Sequence, residues 1–512
     1  MKLIFFLLFT LPFLAFSKPE SVSSASPLAL VDSSQRRENP VIPGDFADPS
    51  IIRVGQTYYA TGTSSEWAPH FPVLQSTDLL HWQPIGYVFP KTPAWAAASF
   101  WAPELYYRKG TYFVYYVARK KSDGVSCIGV ATSSNPAKGF TDRGILLEFG
   151  KEAIDPFIIE DKGQLYITWK AYGLDQRPIE ILGSRLSNDG LKVLGEPFTL
   201  LRDDKKEGLE GQALIKRDNT YYLFYSPGNC CGRDCNYKVE VARSASLQGP
   251  YTRFEGNPLL AETDEWKCTG HGTLVTSPAG KTYYLYHAYN KKDLVYTGRQ
   301  GMLGEVVWDA EWPRIKPLGN EAERVKNFRD DFSATTVSGS WQWDFRHATP
   351  EVKVSKGNLF LTGQSLANNP SGTALTIRPL LGDYTMTTEV VNQNAALKGL
   401  VLYGDAGQAV GIGMQGNQVQ VWEVKKDQRQ ILRQESIASA KAVQLKMDVK
   451  DGSHIKFYWS PDGEKWNELT TAAGVYDGSF LPPWDRSPRP GLLHQGASGE
   501  PAVFSFFALS YP

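Results

Sequence analysis

The sequence has no excess of charge of either sign. Lys and Arg number 54 against 54 Asp and Glu, a formal net charge of zero. Nucleic acid or an anionic membrane selects a basic face. The balance excludes those partners and leaves a neutral polymer such as a polysaccharide. Long apolar runs are also scarce. The single one, Leu3 to about Phe16 in MKLIFFLLFTLPFLAFSKPE, follows one Lys, contains Pro12 and gives way to small residues. That is the form of a signal peptide rather than a spanning helix, predicted over residues 1–17. No Cys follows the run, so a lipid anchor is not indicated. The expected destination is secreted or periplasmic, with no membrane contact after signal removal. Cysteine is sparse and odd in number: five, so at least one is unpaired within the chain. In GNCCGRDCNY a Cys230–Cys231 bridge and a loop from either residue to Cys235 are both open. Zinc-finger or ribbon spacing is absent.

What the chain has is a globular composition, 42% apolar, 21% charged and 12% aromatic, at a length that predicts two domains. Five segments share one form: SIIRVGQTYYATG, ELYYRKGTYFVYY, FIIEDKGQLYITW, ALIKRDNTYYLFY and TLVTSPAGKTYYLYH. Each is a strand, a short turn with Gly, Asp or Asn, and an aromatic-rich strand, which reads as a β-hairpin. No helical period intervenes. The residues preceding the hairpins are Asp48, Trp101, Asp155, Glu210 and His271, spaced by 53, 54, 55 and 61. About fifty residues and four strands per unit is the size of a propeller blade. The fold class is therefore all-β: a five-bladed β-propeller over 39–320, preceded by a leader at 18–38.

In a propeller the starts of the innermost strands converge at one mouth of the central channel. The repeats put three carboxylates, an imidazole and an indole there, which core packing alone does not favour. Glycosidic cleavage needs one carboxylic acid to protonate the leaving oxygen and a second carboxylate to activate water or attack the anomeric carbon. Asp48 and Glu210, on blades one and four, are expected to stand apart with room for a water, which favours inversion at roughly 6.5–9.5 Å. Asp155 lies between them in blade order, and its charge is expected to raise the pKa of Glu210.

The motifs FADPSIIRVGQTYYATGTS, FWAPELYYRKGTYFVYY, AIDPFIIEDKGQLYITW, LEGQALIKRDNTYYLFYS and GHGTLV resemble glycoside hydrolase family 43, a family of inverting five-bladed propellers. The resemblance covers about residues 40–320. It implies Asp48 as general base, Glu210 as general acid and Asp155 as pKa modulator. Phe46, Trp101, Arg299 and His271 become candidates for sugar contact, and Glu104 for holding the ring together. It implies no required cofactor, although His271 matches a histidine that sits near a channel ion, a structural calcium, in many members. Gln212 stands where Pro is frequent. The Cys230–Cys231 loop is similar to arabinan-active relatives and becomes a substrate-contact candidate. The implied activity is an exported α-L-arabinofuranosidase or β-xylosidase, exo-acting on arabinose- or xylose-containing glycans. Endo-1,5-α-L-arabinanase and exo-galactanase are alternatives within the class, and a non-catalytic carbohydrate-binding propeller lies outside it.

After a linker at 321–330 the pattern changes to short alternating strands, among them NLFLTG, YTMTTEVV, QVQVWEV and AVQLKMDV, with turns every ten residues or so. These predict a β-sandwich over 331–512. It resembles the concanavalin-like domain appended to many family members, which binds carbohydrate or lends the active site a loop. LPPWDRSPRPGLLHQG is the expected wall.

Overall fold

The computed structural model describes, apart from Met1, residues 39–309, 311–319, 325–365, 369–438, 440–470 and 473–512. The expected signal peptide and leader lie outside the described residues. Among the described residues there is no α-helix, only strands and two short 3-10 turns.

All five expected hairpins form, with turn-flanking pairs Val54–Thr57, Arg108–Thr111, Asp161–Gln164, Arg217–Thr220 and Thr276–Thr282. Turn chemistry fixes their register. Lys109–Gly110 and Lys162–Gly163 both have positive φ, the requirement of the two-residue turn whose twist matches paired strands. Each hairpin gains two outer strands to make a four-stranded blade. The innermost strands are Ser50–Val54, Ala96–Arg108, Glu152–Asp161, Glu210–Arg217 and Trp266–Thr276. Each touches the next, and the fifth returns to the first. Apolar side chains fill the seams between blades, as Phe71, Phe100, Val114 and Tyr116 do between blades one and two. The ring is fastened by the N-terminal segment. Ile42 bridges Gly301, and the Asn39 carboxamide accepts from the amide of Leu303 and donates to its carbonyl. Gln300–Asp309 and Trp312–Pro317 are the two outer strands of blade five.

The second domain is a sandwich of a nine-stranded and a six-stranded sheet around one apolar core that includes Met386, Leu400, Val421, Leu445, Phe457 and Phe504. Phe328–Asp330 already pairs with the last strand, Ala502–Ser510, so the sandwich begins inside the stretch expected to be linker. The domains are joined by backbone: Trp343–Asp344 pairs with Trp67–Ala68 of the propeller. Arg489 of the sandwich lies over the Trp67 ring at 4.3 Å.

Candidate active site

The inner strands of blades three, four and five are bulged where they reach the mouth, with register shifts at Ile154/Phe157, Glu210/Ala213 and Gly270/Thr273. A bulge re-aims a side chain. Asp48, Asp155 and His271 all have left-handed backbones, with φ of 49°, 56° and 37°. Non-glycine residues carry that strain where the surroundings impose it, often at functional sites. On blade four the left-handed residue is Gly211, φ 62°. A Cβ there would stand 2.9 Å from His271 Cγ, so Glu210 can sit beside the histidine only because glycine follows it.

Blade two departs from expectation by one residue. Its left-handed position, also followed by proline, is Ala102 with φ 39°. Trp101 precedes it, and its indole Nε1 donates to Asp485 of the sandwich at 3.1 Å. The left-handed positions therefore carry Asp48, Ala102, Asp155, Gly211 and His271, and Trp101 and Glu210 each stand one residue before theirs. Trp101 contributes from beside the ring rather than on it. Phe46, expected to line the sugar pocket, is fully buried in a core cluster with Ile51, Leu285 and Leu303, so it exposes no face to a ligand.

The three carboxylates do converge. His271 Nδ1 lies 3.5 Å from Asp48 Oδ1 and 3.7 Å from Asp155 Oδ2. The same Asp155 oxygen accepts the amide of Gly211 at 2.9 Å, which places blade four next in line. Asp48 accepts from Arg299 Nη1 at 2.9 Å and from Thr63 Oγ1 at 2.6 Å. Its own amide donates to His287 Nδ1 at 3.0 Å. Burial pushes the Asp48 pKa up, but the Arg299 guanidinium, His287 and His271 together outweigh burial and hold the carboxyl far below the usual range. Burial pulls His287 down to about 4, so its ring is neutral and able to accept. Arg299, itself buried, reaches the Asp485 carbonyl with Nη2 at 3.3 Å.

Asp155 and Glu210 reverse one expectation. Burial, reinforced by the Glu210 charge, raises Asp155 to about 7. Burial also pushes Glu210 up, but Lys170, whose Nζ is 2.8 Å from Oε2, holds it below its usual value. Of the pair, Asp155 is thus the carboxyl that keeps its proton to higher pH, because a cation lies closer to Glu210. Tyr237 donates to Glu210 Oε1 at 3.1 Å and stacks on His287 at 5.7 Å. Gln212 donates to the Asp155 carbonyl. Glu104 sits behind the ring. It accepts from Ser50 Oγ at 2.6 Å and from the Ile158 amide, joining blades one, two and three.

Sequence reading missed Lys170, Tyr237, His287 and Thr63. Lys170 left a signal: it is the one charge in QLYITWKAY, an otherwise apolar and aromatic strand. His287 is one more residue of an aromatic-rich strand, and Thr63 and Tyr237 lie in loops; these three give none.

The residues around His271 do not fit a calcium cage, which takes six to eight oxygens. The nearest carboxylate oxygens already accept from Arg299, Thr63 and Gly211. Among the described residues no three His, Cys, Asp or Glu side chains are grouped to hold a metal ion.

The sandwich supplies part of the mouth. Asp485 accepts from Trp101, and the amide of Ser487 donates to Asp45 Oδ2 at 3.2 Å. Asp45 Oδ1 accepts the amide of Arg299. Trp484 is 63% exposed, and its ring centroid is 6.4 Å from that of Trp101. Across from it, Gly232 follows a Cys230–Cys231 bridge. A second bridge, Cys235–Cys268, ties the Tyr237 loop to the blade-five strand that carries His271. Cys127 is free and buried.

Residues 37–313 match the sequence profile of Glycosyl hydrolases family 43, and residues 329–481 that of the Beta xylosidase C-terminal Concanavalin A-like domain. The extracellular exo-α-(1→5)-L-arabinofuranosidase ArbA of Cellvibrio japonicus is 30% identical over 312 residues, covering 53% of this chain and 86% of that protein. Xylan 1,3-β-xylosidase of a Vibrio species is 28% identical, covering 54% of this chain and 57% of that protein. In fold the chain is similar to xylan β-1,4-xylosidase of Bacillus halodurans, with a TM-score of 0.81 at 23% identity over 93% of this chain and 100% of that one. More than half of the sequence answers to one profile and the blades close as that fold requires, so the chain belongs to glycosyl hydrolases family 43.

Proposed function

We propose that the protein is an exported, inverting glycosidase that removes a pentose, L-arabinofuranose or D-xylose, from the ends of cell-wall chains or oligosaccharides. The observation that carries this reading is the division of protonation among converging carboxylates. Asp48 is held ionised by Arg299, while the Asp155–Glu210 pair retains a proton up to about pH 7. A base must be ionised and an acid protonated at the same pH; Asp48 supplies the ionised base, and the Asp155–Glu210 pair holds the proton that Glu210 must receive. The arabinofuranosidases and xylosidases among the relatives support the pentose. Two relatives carry the word extracellular in their names, in keeping with an exported enzyme.

Asp48 takes a proton from a water, which attacks the anomeric carbon from the side opposite the leaving group. Glu210 delivers a proton to the glycosidic oxygen. Its side chain is the longest of the three, and the Asp155 carboxyl is occupied by the Gly211 amide. Lys170 holds Glu210 below its usual value, so Glu210 must gain its proton as substrate binds. A sugar expels water from around the carboxyl, and desolvation favours the neutral form. Burial is already the largest single influence on Glu210. Asp155 and Glu210 titrate as a pair, which keeps that proton within reach.

Glu210→Gln should lower hydrolysis of an aryl pentoside by about 10²- to 10⁴-fold, the usual contribution of a general acid. Equal rates for the two proteins would dismiss the assignment. Proton NMR of the first-formed sugar reads the stereochemistry, and retained configuration would rule out Asp48 as the base. Aryl arabinofuranosides compared with aryl xylosides then decide the sugar.

A further inference from the structure

Away from the mouth, a cleft of about 510 Å³ opens between blade one and the sandwich, within the size range of ligand pockets, ~300–1,000 Å³. None of Asp48, Asp155, Glu210 or His271 lines it. Trp82 and Tyr87 come from the propeller and Tyr511 from the sandwich, so three part-exposed aromatic rings face one space from two domains. Asn327, Gln342 and Arg378 add polar groups. The lining contains cations and no carboxylate.

The charge behind this wall is unbalanced. Arg378 donates to the Asp45 carbonyl, not to its carboxylate. Arg489, 3% exposed, donates to Gln342 Oε1, and its Nε has no hydrogen-bond partner. Among the described residues neither guanidinium has a carboxylate within ion-pair distance, while Asp45, an acid whose charge reaches both, is drawn toward Arg299 and Ser487. Burial without a partner lowers both arginines, Arg489 to about 9. A buried cation that lacks its counter-charge is costly unless something else supplies it.

We propose that this interdomain cleft is a second binding site, for a saccharide bearing a carboxylate. Trp82, Tyr87 and Tyr511 take the sugar face, and Arg378, with Arg489 behind it, receives the acid group. A planar guanidinium matches a carboxylate in geometry as well as charge. A uronic acid branch on a neutral chain has this chemistry. Binding there would tether the acidic regions of a polymer to the enzyme without occupying the site of cleavage.

The test is calorimetric titration of the full chain carrying Glu210→Gln, so that no probe is cleaved. Three probes are compared: xylotriose with a glucuronic acid branch, unbranched xylotriose, and acetate. Each titration is repeated with Trp82→Ala added, and the difference isolates the cleft from the mouth. The branched acid should bind through the cleft about tenfold more tightly than xylotriose, and high salt should weaken it. Trp82→Ala and Arg378→Gln should each remove that binding. In the otherwise native chain Trp82→Ala should change aryl pentoside hydrolysis less than about twofold, because none of Asp48, Asp155, Glu210 and His271 lines the cleft that Trp82 faces. Equal affinity for acidic and neutral probes would overturn the proposal, as would binding indifferent to both substitutions. Acetate binding as tightly as the oligosaccharide would mean a small-anion site only, and would overturn it too.

Discussion

At the scale of single residues the arrangement turns on two cations, Arg299 and Lys170, each placed against a different carboxylate. Arg299 is what keeps Asp48 ionised in a buried position. Without that charge the Asp48 pKa rises, so the base is protonated at higher pH and activity falls earlier on the acid side. For Arg299→Gln we expect the acidic limb of kcat/KM to move up by about 1–3 pH units, the range for loss of an adjacent opposite charge. An unchanged limb with only a lower plateau would mean that Arg299 touches sugar but does not tune the base. The three acids were legible because each stands at the opening of a repeat, Glu210 one residue ahead of the position that Asp48 and Asp155 hold. The cations that set their protonation were not equally so. Arg299 emerged only from resemblance, and Lys170 lies on a second strand, where spacing from the repeat says nothing about which acid it meets.

The inner strands are where the ring is held, and Glu104 shows how. Its carboxyl is buried and joins three strands, and burial lifts its pKa to about 8 despite the Ser50 hydroxyl and Ile158 amide. The folded protein therefore keeps a proton that the unfolded chain releases near pH 4.5. Between these values the folded state binds more protons, so stability falls as pH rises, by an amount on the order of a few kcal/mol. Glu104→Gln keeps the shape and removes the titration. Its Tm should fall less steeply than that of the native chain between pH 5 and 9. Parallel slopes would show that Glu104 is not the group responsible. The hairpins themselves followed from alternation and turn residues, which are local. The displacement of Trp101 by Ala102 did not, because the register shift between Trp101 and Glu104 on blade two inserts a residue without disturbing the apolar pattern on either side. The extent of the sandwich was blurred for a related reason: Phe328–Asp330 is a strand only through its partner at the other end of the chain.

Taken whole, the molecule places a loop of one domain at the catalytic mouth of the other. Asp45 is the joint: its two carboxylate oxygens take amides from Arg299 in the propeller and Ser487 in the sandwich. Trp101 and Asp485 add a second link. Trp484 is then left exposed beside Trp101, a large apolar ring in water that a sugar ring can cover. A mouth walled on one side by another domain admits a chain end more readily than the middle of a chain, which is the physical basis for expecting exo action. Trp484→Ala removes the stacking face but none of the carboxylates. It should raise KM for a pentose oligosaccharide by roughly five- to tenfold, about 1 kcal/mol of aromatic contact, and leave kcat on a small aryl pentoside nearly unchanged. Replacing Asp485 with Ala acts differently, because it frees Trp101 and loosens the backbone that holds Arg299. Here kcat should fall along with affinity. If both substitutions changed only Tm and left KM and kcat at native values, the sandwich would be a packing partner. The exo preference would then have to come from the propeller loops alone, which viscosity loss against reducing-sugar release on linear arabinan would reveal.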